Sequence, residues 1–168
     1  MINKRVVSVS IWNLVIALVA YLCGFHFTGL FNESTSAIGG LWSVISGIIV
    51  LESTREDTLR SAKFRILGSL IGSVVSGIYL FYFPFTVIGY SVCIGIGAMV
   101  CHLLRLPKYV KLSGVTISVI MIVSTIRHDL NPFLNAGLRF VESGIGAGVA
   151  VFISYLSDWI SLTKRERI

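Results

Sequence analysis

The chain has 168 residues, of which 55% are hydrophobic and 13% charged, with a mean hydropathy of +0.86. Its apolar runs recur at the length a helix needs to cross a bilayer, about 20 residues, and this composition excludes an ordinary soluble domain. The net charge of +6 does not indicate nucleic acid, because the basic residues sit at the ends of apolar runs rather than on one polar face.

Taken in order, Lys4 and Arg5 precede an uncharged run from Val6 to Asn32, the first predicted span. It exceeds the roughly 7 to 15 apolar residues of a signal peptide, and further spans follow, so it is read as retained. Ser34 to Leu51 is again uncharged and forms the second span, with Gly39, Gly40, Trp42, Ser43 and Ser46 as small or interfacial residues for close packing. Glu52 to Arg65 reads as a charged linker, and the third span runs from about Arg65 to Phe83, where Pro84 breaks it. Phe85 to about Leu104 returns as the fourth span, carrying Gly89, Gly95 and Gly97. Arg105, Lys108 and Lys111 flank Pro107 in the next connection. The fifth span, Leu112 to Ile126, has fifteen residues, a length that snorkelling of Lys111 and Arg127 would extend. Arg127, His128, Asp129, Asn131 and Pro132 form a polar turn, the sixth span ends near Trp159, and Lys164, Arg165 and Arg167 close the chain. The expected fold is all-α integral membrane: residues 1–168 as one six-helix transmembrane domain, with a short basic tail at 161–168.

The third span has an echo in the sixth. AKFRILGSLIGSVVSGIYL, Ala62 to Leu80, shares a skeleton with AGLRFVESGIGAGVAVFISYL, Ala136 to Leu156. Ala62, Arg65, Ser69, Ile71 and Gly72 pair with Ala136, Arg139, Ser143, Ile145 and Gly146. A weaker match sets GLWSVI, Gly40 to Ile45, against VTISVI, Val115 to Ile120. With the copies three spans apart, as the third and the sixth, the two enter the bilayer from opposite sides, giving a 3+3 inverted repeat with halves at about 1–83 and 84–160. All fourteen Lys and Arg except Arg127 and Arg139 fall on one side of this arrangement. The positive-inside rule makes that side the cytoplasm and puts both termini there.

The stretch RILGSLIG, Arg65 to Gly72, preceded by GLWSVISGIIVLES, resembles the membrane region of the fusaric acid resistance and aromatic acid exporter superfamily. In that family a helix carrying Arg-x-x-Gly-Thr-x-x-x-Gly follows a linker; here the arginine is Arg65, the first glycine Gly68 and the threonine position Ser69. Gly72 stands one residue earlier than the family's second glycine. The resemblance implies a six-helix bundle in the inner membrane that moves organic anions, and it spans essentially the whole chain. The large cytoplasmic domain and second membrane half of many members are not found in this sequence, which favours assembly from several copies, most simply a homodimer.

Candidate path residues follow from polar groups inside apolar runs. Arg65 suits a cytoplasmic helix threshold, by topology alone or as an anion contact. Arg139 opposes the topology rule, and Glu142 lies one turn further along at i+3, so the two read as an intrahelical pair or as a substrate-anion contact with a coupling acid. Ser113, Thr116 and Ser124 share roughly one face of the fifth span, either as interhelical hydrogen bonds of about 0.6 kcal/mol each or as a polar pore wall. Asn13 is the polar group of the first span, again suited to a bond between helices. Gly68, Gly72 and Ser76 form a small-residue stripe, and Gly144, Gly146 and Gly148 with Ser143 and Ala147 form similar ones, read as helix packing that can also leave room for permeation.

Cys23, Cys93 and Cys101 read as buried thiols. His26, His102 and His128 read as interfacial side chains rather than metal ligands. No cofactor is expected, and no phosphate loop, HExxH, GxSxG or paired catalytic carboxylate occurs, so an intramembrane enzyme is the least supported class. The favoured function is transport of small organic anions, aromatic ones among them, exporter or channel-like; the alternative is a non-transporting structural or regulatory membrane subunit. The expected partners are the lipid bilayer, a small organic anion and further copies of the chain.

Overall fold

A computed structural model describes the backbone of residues 4–127 and 130–165 and the side chains of 9–127 and 130–159. His128, Asp129 and Arg167, with the side chains of Lys4, Arg5, Lys164 and Arg165, lie outside the described residues. Among the described residues there are six α-helices and no strand: α1 Lys4–Gly29, α2 Ser36–Val50, α3 Arg55–Tyr82, α4 Val87–Leu103, α5 Val110–Ile126 and α6 Pro132–Arg165. Short 3-10 turns at Glu33–Thr35 and Pro107–Tyr109 lead into α2 and α5. Five helices are long and apolar enough to cross a membrane; α4, at 17 residues, is shorter.

Helix boundaries depart from the sequence expectation where local capping decides them. The linker before the third span is largely helical: Thr54 Oγ1 accepts the Asp57 N–H at 3.1 Å and donates to Asp57 Oδ2 at 2.7 Å. This reciprocal cap starts α3 at Arg55, so Arg65 lies well inside a helix rather than at its threshold. Asn131 Oδ1 likewise accepts the N–H groups of Phe133 and Leu134, with Pro132 in the first turn, so α6 begins two turns before Arg139. At its other end α6 continues to Arg165, so the first part of the expected tail is helical. The fifth span is not short, since Pro107–Ile126 gives 20 residues and Lys111 lies within α5. Thr86 caps α4 through a 3.0 Å bond from Gly89 N–H. That helix ends with Arg105 in the left-handed region, φ 58°, while Leu106 N–H reaches back to Cys101 O at 2.7 Å. Such a closure normally uses glycine, because a Cβ is strained there.

The helices group into two compact units, Met1–Lys63 with Glu142–Ile168, and Phe64–Val141. In the first, Ile16, Val50, Ala62, Ala147, Ala150 and Ile153 form the apolar core, flanked by Trp12 and Val15. In the second, Cys93, Ile117 and Met121 are packed by Val75, Tyr79, Leu80, Phe85, Tyr90 and Ile94. Both units bury small polar residues and turn large apolar ones outward. Ser43, Ser46, Ser69, Ser76, Ser113 and Thr116 are all fully buried, whereas Leu14 is 66% and Phe152 67% exposed. In water this would be unstable; in lipid, outward apolar side chains have no cost and small residues let helices approach closely. Cys23 is exposed, not buried, because it falls on the outward face of α1; Cys93 and Cys101 are buried.

Candidate functional site

In the unit of Met1–Lys63 and Glu142–Ile168, the chemistry centres on Glu142. Its side chain is fully buried on α6. Thr28 Oγ1, near the end of α1, donates to Glu142 Oε1 at 2.6 Å, and Ser43 Oγ on α2 donates to the Glu142 backbone carbonyl at 3.1 Å. A Cβ on Gly39 would stand 2.8 Å from Glu142 Oε1, so only glycine lets the first turn of α2 approach this carboxylate. One turn further along α6, Gly146 meets α2 directly: a Cβ there would overlap the Ser43 carbonyl oxygen and lie 2.8 Å from Gly47 N and Ser46 Cβ. Gly144 and Gly148 differ from the expected packing stripe. A Cβ on either would meet nothing within 4 Å among the described residues, so neither packs against them.

The unit of Phe64–Val141 holds both candidate arginines. Arg65 on α3 and Arg139 on α6 are fully buried. Gly68 and Gly72 on α3 face α5: a Cβ on Gly68 would lie 2.7 Å from Leu112 Cβ, and one on Gly72 would lie 2.7 Å from the Ser113 carbonyl oxygen and 2.8 Å from Thr116 Cβ. Thr116 Oγ1 lies 3.3 Å from Ser69 Oγ and 3.0 Å from its own helix's Leu112 carbonyl, so it links α5 to α3. Ser76 donates to Gly72 O within α3. Ser113 and Thr116 are buried, but Ser124 is half-buried near the other end of α5, donating to Met121 O at 2.6 Å. There it lines a cavity of about 310 Å³ with Thr125, Arg127, Phe83 and Phe85. Asn13 makes no interhelical bond through its amide nitrogen, which donates to Val9 O on α1.

On α2 and on α5 a serine stands against two glycines, contacts that the hexamer match does not align. The backbone of Ser43 receives Gly146, and that of Ser113 receives Gly72; each serine also stands against a glycine of the preceding helix, Gly24 on α1 or Gly97 on α4. Ser43 and Ser46 thus correspond in environment to Ser113 and Thr116. Ser118, the sequence partner of Ser43, instead hydrogen-bonds Tyr90 at 2.9 Å. On the third helices, Ala62, Arg65, Ser69 and Gly72 are buried, as are Ala136, Arg139, Ser143 and Gly146. Thr28 escapes the sequence reading, which names Gly39 and Ser43 only as residues for close packing. The pattern Ser-x-x-Ser in α2 against Ser-x-x-Thr in α5 is the signal that finds the serines. Among the described residues no group of His, Cys, Asp or Glu could hold a metal ion, and His26 and His102 are exposed.

The chain is 25% identical over 154 residues to a UPF0421 protein of Bacillus cereus, covering 92% of this chain and 39% of that protein. A UPF0421 protein of Halalkalibacterium halodurans is 26% identical over 115 residues, covering 68% of this chain and 31% of the relative. The chain thus spans well under half the length of these curated relatives. No solved structure matches it. The model of one family, described as fusaric acid resistance protein-like, matches residues 15–153, most of the chain, and with buried arginines and small-residue packing carried on apolar helices, this multi-pass membrane protein belongs to that family.

Proposed function

We propose that the chain is a membrane transport unit for small organic anions, aromatic carboxylates among them. One observation carries this reading: two guanidinium groups, Arg65 and Arg139, are fully buried on membrane-spanning helices. Buried cations at membrane depth are costly, and arginine's planar fork suits carboxylates. Membership of the fusaric acid resistance protein-like family supports the same class. The cavity of about 310 Å³ beside Arg127, Ser124, Phe83 and Phe85 adds a guanidinium next to aromatic walls, which is the chemistry of an aromatic carboxylate site.

In this reading Arg65 and Arg139 draw the anion, and Glu142, held by Thr28, tempers the positive charge one turn along α6. Ser113 and Thr116 line the helix that Gly68 and Gly72 contact. The chain forms one six-helix transmembrane domain in the inner, or plasma, membrane, with both termini cytoplasmic and a 3+3 inverted repeat. The equivalent burial of α3 and α6, and the equivalent serine–glycine contacts of α2 and α5, support the repeat. A homodimer is the proposed assembly, since a single six-helix unit encloses little volume for a path and abundant small residues permit close helix contacts between copies.

The test is flux of benzoate-type and dicarboxylic anions into liposomes holding purified protein, with and without a pH gradient. Arg139→Gln should cut flux or change selectivity while folded yield is kept, and Glu142→Gln should tighten anion binding or remove pH dependence. Parental protein without flux for any anion would overturn transport. Flux unchanged in both variants would overturn the roles of these side chains.

A further inference from the structure

A second cavity of about 310 Å³ lies within the unit of Met1–Lys63 and Glu142–Ile168, away from Glu142. Its walls come from three places: Trp12 and Asn13 early in the α1 span, Glu52 and Arg55 after the α2 span, and Ser154 and Asp158 at the end of the α6 span. All three are span ends, so the cavity sits where the apolar region gives way to water. Among the described residues its lining carries both signs of charge, the carboxylates of Glu52 and Asp158 and the guanidinium of Arg55. Arg55 stacks on the Tyr155 ring at 4.7 Å, which occupies one face of the guanidinium and leaves its N–H edge available. Asn13 uses its amide nitrogen on Val9 O, which leaves the amide oxygen as an acceptor. An independent observation points to a ligand: Ser154, 7% exposed, lines the cavity with a buried Oγ that has no hydrogen-bond partner. A buried hydroxyl left unpaired is costly unless something polar enters to meet it.

We propose that this cavity binds a phosphoethanolamine-type zwitterion, its primary ammonium meeting Glu52, Asp158 and Asn13 and its phosphate meeting Arg55. A lone anion would face two carboxylates, and a lone cation would face Arg55; a zwitterion meets both. Trp12 suits the interfacial position, where an amphipathic ring stands at headgroup level. The same chemistry is available as the headgroup of phosphatidylethanolamine and as a free solute, and the experiment separates them.

The protein is placed in nanodiscs of phosphatidylglycerol alone, or with added phosphatidylethanolamine or phosphatidylcholine; retained lipid is counted by native mass spectrometry and unfolding followed by tryptophan fluorescence. Phosphatidylethanolamine should be retained and raise the unfolding temperature, and phosphatidylcholine, whose quaternary ammonium has no N–H to donate, should not. Glu52→Gln with Asp158→Asn should weaken retention about tenfold, the worth of one charged hydrogen bond, and Arg55→Gln should weaken it independently. Both carboxylates are exposed, so the double variant keeps its fold, checked by its unfolding temperature in phosphatidylglycerol discs. Soluble phosphoethanolamine reproducing the shift in discs without phosphatidylethanolamine assigns the site to a free solute; retention of the lipid without that effect assigns it to the bilayer. Equal retention of the two zwitterionic lipids, parental retention in the variants, or no response to either source overturns the proposal.

Discussion

Replacing Gly146 with alanine tests the helix packing at the centre of the first unit. A Cβ at this position overlaps the Ser43 carbonyl oxygen and stands 2.8 Å from both Gly47 N and Ser46 Cβ. The first two are backbone atoms of α2, so relief requires moving a helix rather than turning a side chain. Overpacking of this kind costs about 1–3 kcal/mol. Alanine also gains about 1 kcal/mol over glycine within a helix, which partly masks the clash. Gly148→Ala supplies the control, because no described residue lies within 4 Å of its added Cβ and the helix gain is the same. Subtracting the two variants cancels the propensity and leaves the clash, about 1–3 kcal/mol between them. Unfolding in mixed dodecyl maltoside and sodium dodecyl sulfate micelles, followed by tryptophan fluorescence, reads the difference. Gly148→Ala should unfold at a higher detergent fraction than the parent, and Gly146→Ala at a fraction no higher than the parent. Coincident midpoints for the two variants would refute the packing of α6 on α2 described here.

Thr28→Val removes the donor to buried Glu142 and should cost about 1–3 kcal/mol, most of it absent when Glu142 is already Leu, which has no acceptor; the same detergent titration on the four-member cycle measures that coupling, and additive effects would count against the bond. Thr116→Val removes the link to Ser69 and should cost only about 0.6 kcal/mol, with about 1.7 as the ceiling, so a larger loss would mean that Thr116 does more than join α5 to α3. Arg105→Gly should raise stability by about 1–2 kcal/mol, because the left-handed backbone at φ 58° strains any residue with a Cβ; no gain on thermal unfolding would contradict that geometry.

The class of the protein and the number of its helices were legible in the sequence, because a bilayer imposes a minimum length and an apolar composition on each crossing and both survive without any knowledge of packing. The likeness of the sequences around Arg65 and Arg139 was legible as well, and both arginines are buried. Boundaries were less so: charged residues from Arg55 to Lys63 read as linker, yet a cap formed by Thr54 and Asp57 makes them helix. Only the tertiary structure decided which polar groups meet. Thr28 and Glu142 are far apart in the chain and come within 2.6 Å because Gly39 removes the Cβ that would hold α2 away. It also separated glycines of identical appearance, Gly146 pressed on backbone and Gly148 in the open, two positions apart on one helix. A glycine's role is set by what approaches it, and that is a property of the neighbouring helix rather than of its own sequence.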